Sequence, residues 1–101
     1  MGRYYFTNKA VEDLTEIWNY TLKKWSGNQA EIYYNLIIET CNEISVNPIL
    51  GKDYSIIAQH IYGIHSGRHL IFYRIIETGD IEIIRILHEQ MDLKSKLPKQ
   101  L

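Results

Sequence analysis

RHLIFYRIIETGDIEIIRILHEQMD, residues 68–92, sets the architecture of this 101-residue chain. Two runs rich in isoleucine and aromatic residues, 68–76 and 81–88, flank the polar loop Glu77-Thr78-Gly79-Asp80. Such residues suit a pleated, half-buried surface, and a short loop holding glycine between them predicts an antiparallel hairpin. Strand alternation then sorts the side chains. Arg68, Leu70, Phe72 and Arg74 are expected on one face, with His69, Ile71, Tyr73 and Ile75 on the other. On the last strand, Arg85 is placed with Ile81, Ile83 and Leu87, and His88 with Ile84 and Ile86. An arginine inside an apolar strand must reach solvent, a carboxylate such as Asp92, or a ligand, because an unpaired buried charge is very costly. The strand ends in His88-Glu89-Gln90-Met91-Asp92. That ending reads either as an acid–base cluster or as a structural corner in which His88 hydrogen-bonds the turn, Met91 packs under the sheet, and Asp92 caps or meets Arg85.

Upstream, residues 58–64 form a further expected strand, joined to the hairpin through the turn His65-Ser66-Gly67. Residues 49–55, around Gly51, read as a loop. At the other end, RYYF (3–6) is a short first strand, and Thr7 or Asn8 can cap a helix. Val11, Leu14, Trp18, Leu22 and Trp25 then recur at three and four residues, one face of an amphipathic helix. Ser26-Gly27-Asn28-Gln29 interrupts, with Gly27 as a helix stop and Ser26 and Gln29 at capping-box spacing. Ala30, Tyr34, Ile37, Cys41 and Ile44 repeat the rhythm until Asn47-Pro48 ends it. Two helices joined so closely predict an antiparallel hairpin. The expected fold is therefore α+β: an N-terminal strand, an antiparallel helical hairpin, then a three-stranded antiparallel meander, with the helices on one face of the sheet and the other face open.

Length predicts one domain, 1–101, with 97–101 fraying. No apolar run approaches the roughly 18–20 residues of a membrane span, and MGRYYFTNKA lacks the apolar core of a secretory signal. The single Cys41 excludes an internal disulfide and fits the cytoplasm. A formal net charge of −1 gives no general argument for nucleic-acid binding. His60, His65, His69 and His88 lack the tight spacing of a zinc site, so no metal or other cofactor is expected. There is no phosphate-binding glycine loop and no G-x-S-x-G nucleophile motif.

The order strand–helix–helix–three strands resembles the RelE/ParE superfamily of bacterial toxins. LTEIWNYTLKKWS, NPILGK, GRHLIFYRI and IIRILHEQMD carry a resemblance to its ParE branch over nearly the whole chain. That resemblance implies a toxin of a type II toxin–antitoxin system that binds DNA gyrase and stalls it on cleaved DNA, and that a ParD-like antitoxin neutralises. It implies no sequence-specific nucleic-acid binding by the toxin alone, and homodimerisation stays open. A binding protein needs exposed apolar surface. Ile17, Tyr20, Tyr33 and Ile38, off the main helical stripes, are candidates for it. Arg68, Arg74 and Arg85 on the strands and Met91, Lys94 and Lys96 beyond them complete the candidate contact set.

The rival reading is a RelE-type ribonuclease that cuts messenger RNA on the ribosome. RNA cleavage through a 2′-hydroxyl needs a base, an acid and a cation, and Arg68, Arg85, His88 and Tyr73 can fill those roles. Glu89 after His88, and a slightly acidic chain where ribosome-acting relatives are basic, count against it. A third reading is an inactive relative that only binds its antitoxin and co-represses transcription with it.

Overall fold

The structure, a computed structural model, describes residues 2–90. Tyr4–Phe6 forms β1, and Thr7 then caps helix α1, Asn8–Lys24. The Thr7 hydroxyl accepts from the Ala10 N–H at 3.1 Å and donates to the Ile84 carbonyl at 2.8 Å, so one side chain starts the helix and fixes it to the last strand. Ser26 caps α2, Gly27–Val46, accepting from the Gln29 N–H at 3.1 Å. Gly27 thus opens the second helix instead of stopping the first, and only Trp25 and Ser26 link the two. After a single 3-10 turn, Pro48–Leu50, come β2 (Lys52–Asp53), β3 (Tyr62–Ser66), β4 (His69–Ile75) and β5 (Ile81–His88).

These strands make one five-stranded sheet in the order β1-β5-β4-β3-β2. The expected meander is β3-β4-β5, antiparallel throughout, and β1 lies parallel to β5. Three details depart from expectation. Lys52 and Asp53, expected in a loop, pair with Tyr62 and Gly63 as a short edge strand. The strand expected over 58–64 begins only at Tyr62 and runs through Ser66. Ala58 and Ile61 are instead buried against the sheet as part of the segment leading into it. The turn is accordingly Gly67-Arg68, where Gly67 has φ +61° and an added Cβ would stand 2.6 Å from the Tyr33 ring.

The largest departure is a β-bulge. Phe72 pairs with Arg85 but Tyr73 with Ile83, which leaves Ile84 as an extra residue in β5. Alternation restarts there. Ile81, Ile83 and Ile86 face the helices with Ile37, Cys41, Ile44, Ile71 and Tyr73. Ile84 and Leu87 face the opposite side with Leu70 and Phe72. Arg85 therefore shares a face with Phe72 and Leu87, not with Ile81 and Ile83, and His88 stands opposite His69. The second face is also not open along its length: Ala58, Ile61 and the half-buried Tyr54 and Ile57 cover Leu70, Phe72, Ile84 and Leu87.

The helical stripe reads differently too. On α1 the sheet-facing residues are Ala10, Asp13, Ile17 and Thr21, while Val11, Leu22 and Trp25 are exposed at 49, 46 and 70%. Only Leu14 and Trp18 of the expected stripe are half-buried, with Trp18 meeting Tyr34 edge-on at 5.8 Å.

Candidate functional site

β1 ends opposite Ile83, so among the described residues β5 has no strand neighbour on that side from Ile84 onward. Helix α1 fills the gap with side chains. Thr7 takes the Ile84 carbonyl, and the Asp13 carboxylate accepts the Ile86 N–H at 3.0 Å. Arg85 donates to the same carboxylate in a bidentate pair, Nε to Oδ2 at 2.7 Å and Nη2 to Oδ1 at 2.9 Å. The hydrogen bond to Asp13 holds the guanidinium above its usual value against the pull of burial, and the charges of Asp13, Glu12 and Glu16 add to it. An open strand edge is thereby closed by a buried ion pair.

Beyond Asp13, a cleft of about 300 Å³ opens between α1 and the ends of β4 and β5. Glu16, Ile17 and Tyr20 line its helix side, and His69, Ile86 and His88 its sheet side. The two imidazoles sit on paired residues with ring centroids 5.3 Å apart, edge to face. His88 Nδ1 accepts the Gln90 N–H at 3.2 Å, as the corner reading expects. His69 Nδ1 lies 2.7 Å from the Tyr33 hydroxyl. That hydroxyl also accepts the Arg68 N–H at 2.9 Å and lies 3.2 Å from the Ser66 carbonyl. A hydroxyl has one proton, so all three contacts are satisfied together only if Tyr33 donates to Ser66 and His69 Nδ1–H donates to Tyr33. Burial and then the His88 charge push His69 down to about 4, with Asp13 and Glu89 opposing, so the ring is neutral at pH 7.

A second, apolar hollow of about 220 Å³ lies along the helical hairpin, lined by Val11, Leu14, Trp18 and Tyr34. Among the described residues no group of three or more His, Cys, Asp or Glu is placed to hold a metal ion. Cys41 is fully buried, and burial pushes its thiol up to about 12, away from nucleophilic chemistry.

The family model described as "ParE toxin of type II toxin-antitoxin system, parDE" matches residues 4–93. The chain belongs to this ParE toxin family. Toxin ParE1 of Mycobacterium tuberculosis (strain CDC 1551 / Oshkosh) is 32% identical over 96 residues, covering 95% of this chain and 98% of that protein. Toxin ParE1 of Caulobacter vibrioides is 31% identical over 97 residues, 96% of this chain and 99% of its own. Among solved structures, a chain of the "Chromosomal ParDE TA system from P. aeruginosa" superposes with a TM-score of 0.74. It covers 87% of this chain and 96% of its own length at 18% identity, a likeness of fold.

In this ParE toxin the residues singled out from sequence do not gather at one place. The Tyr73 hydroxyl donates to the Pro48 carbonyl at 2.7 Å and accepts the Gly51 N–H at 2.9 Å on the helix face of the sheet. Arg85 pairs with Phe72 in the sheet register, and its guanidinium is held by Asp13 of α1. The Arg68 side chain is 75% exposed and stands 3.9 Å from Glu89. Arg74 pairs with Glu82 at 2.6 Å. Of the candidates, Ile17, Tyr20 and His88 line the cleft. Of the helix candidates, Tyr20 is exposed at 63%, Ile17 and Tyr33 pack against the core, and Ile38 is half-buried. Met91, Asp92, Lys94, Lys96 and the tail expected to fray lie outside the described residues. Neither Asp13 nor Glu16 is singled out from sequence, and His69 is considered there only as a metal ligand. For Asp13 a signal existed: it falls between Ala10 and Ile17 on one helical face, an acid among core residues in a chain with a strand arginine to match.

Proposed function

We propose that this ParE toxin acts by contact, binding DNA gyrase and trapping it on cleaved DNA in the bacterial cytoplasm, with a ParD-like antitoxin as its neutralising partner. Membership of the ParE family over residues 4–93 supports the target and the partner. The observation that carries the non-enzymatic reading is that two of the groups RNA cleavage would require are committed to structural contacts. A base, an acid and a cation must converge within hydrogen-bond reach of one phosphate. Here the Tyr73 hydroxyl is engaged by Pro48 and Gly51, and the Arg85 guanidinium by Asp13. The exposed Val11, Tyr20, Leu22 and Trp25 on α1 supply apolar surface of the kind an antitoxin segment folds onto.

The test is supercoiling of relaxed plasmid by purified gyrase and ATP with the purified chain added, run beside translating ribosomes carrying a labelled message. Loss of supercoiling with intact message is expected. Codon-linked cuts with normal supercoiling would establish the ribonuclease reading. No effect in either assay, together with antitoxin binding, would establish the inactive relative.

A further inference from the structure

We propose that the cleft between α1 and the ends of β4 and β5 receives one basic side chain, lysine or arginine, from a protein partner. This concerns the chemistry of a subsite and holds whether or not gyrase is the target. At about 300 Å³ the cleft lies at the small end of ligand pockets, which span ~300–1,000 Å³, and suits one long side chain better than a cofactor. Ile17, Ile86 and Leu87 offer an apolar wall to an aliphatic stem. The polar groups are those that receive a cation. Glu16 lines the cleft and, among the described residues, enters no hydrogen bond or ion pair, whereas the neighbouring Asp13 faces Arg85 and Glu12 lies 4.0 Å from Lys9. His69 Nδ1 is engaged by the Tyr33 hydroxyl at 2.7 Å, and Nε2, which enters no hydrogen bond among the described residues, accepts a donor in the Nδ1–H tautomer.

The same inventory disfavours other occupants. An acidic side chain would meet the carboxylate of Glu16. A wholly apolar one would bury Glu16 and the His69 acceptor without partners, a costly desolvation. A basic head on an apolar stem satisfies both walls.

The test is an NMR titration of the full-length, ¹⁵N-labelled protein with Nα-acetyl-lysine N-methylamide, its arginine counterpart, and the uncharged norleucine counterpart. Saturable shifts are expected at the amides of Ile17, Tyr20, Ile86 and His88. Either cation should bind up to about fivefold more tightly than norleucine, the scale of one exposed ion pair. Glu16→Gln, at an exposed position that leaves the core intact, should erase that preference while Glu12→Gln preserves it. The proposal is overturned if neither cation gives saturable shifts at these residues, if norleucine binds equally well, or if Glu16→Gln leaves the preference unchanged.

Discussion

Asp13→Ala removes, in one step, the carboxylate facing Arg85 and the acceptor of the Ile86 N–H. The Asp13 side chain is 9% exposed and that of Arg85 18%, so the pair is largely shielded from water. Breaking a buried pair from one side costs ~3–5 kcal/mol, and the guanidinium's residual exposure puts this case near the lower end, at about 3. The stranded amide adds ~1 kcal/mol. A loss of about 3–4 kcal/mol is a large part of a domain's usual ~5–15 kcal/mol. Urea unfolding followed by circular dichroism measures it, since a slope of ~1–3 kcal/mol per molar converts that loss to a midpoint lower by more than about 1 M. Asp13→Asn keeps an oxygen for Ile86 and should lose roughly half as much. Replacing Asp13 and Arg85 together by leucine should cost less than the sum of the single changes, because neither leaves a buried charge behind. An Asp13→Ala variant within about 1 kcal/mol of the parent, a resolvable fraction of that range, would refute the view that this pair closes the edge of β5.

The remaining predictions address other contacts. His69 titrates at about 4 when folded and near 6.5 when free, so the unfolded chain binds more protons between those values. Its contribution is complete above pH 6.5 and is lost as pH falls to 4. The half-buried ring is screened by solvent, which reduces the loss to about 1–2 kcal/mol, and His69→Gln should flatten that part of a stability–pH profile. Tyr73→Phe strands the Pro48 carbonyl and the Gly51 N–H and should lower stability by about 1–3 kcal/mol in the same urea assay. Leu22→Ser with Trp25→Ser, both exposed, should shift stability by no more than about 0.5 kcal/mol each while weakening antitoxin binding in isothermal titration. Unchanged affinity would place the antitoxin elsewhere.

The element order was legible because each device is local. Thr7 and Ser26 cap where their side chains say they should, Pro48 ends the second helix, and the polar loop 77–80 turns β4 into β5. The bulge at Ile84 was not legible. Ile83-Ile84 reads as an uninterrupted apolar run, and nothing in that run marks one residue as extra. Alternation restarts there, so Arg85 parts from Ile81 and Ile83 while keeping the parity of Leu87. The stripe through Val11, Leu22 and Trp25 misled for a different reason. Periodicity finds an apolar face but does not say whether the chain's own core or another molecule covers it. Ile17, Tyr20 and His88 were legible singly, but nothing in the sequence joins them, because they are far apart along the chain and meet Glu16 and His69 only in the fold.

The most direct test of a toxin that disables its target by contact is the fraction of plasmid linearised when gyrase, DNA and the purified chain are incubated and then stopped with detergent and protease. Linear DNA rising with toxin, and returning to background when antitoxin is added first, is the predicted result. Plasmid that stays intact at saturating toxin, while the same preparation cleaves ribosome-bound message, would contradict it.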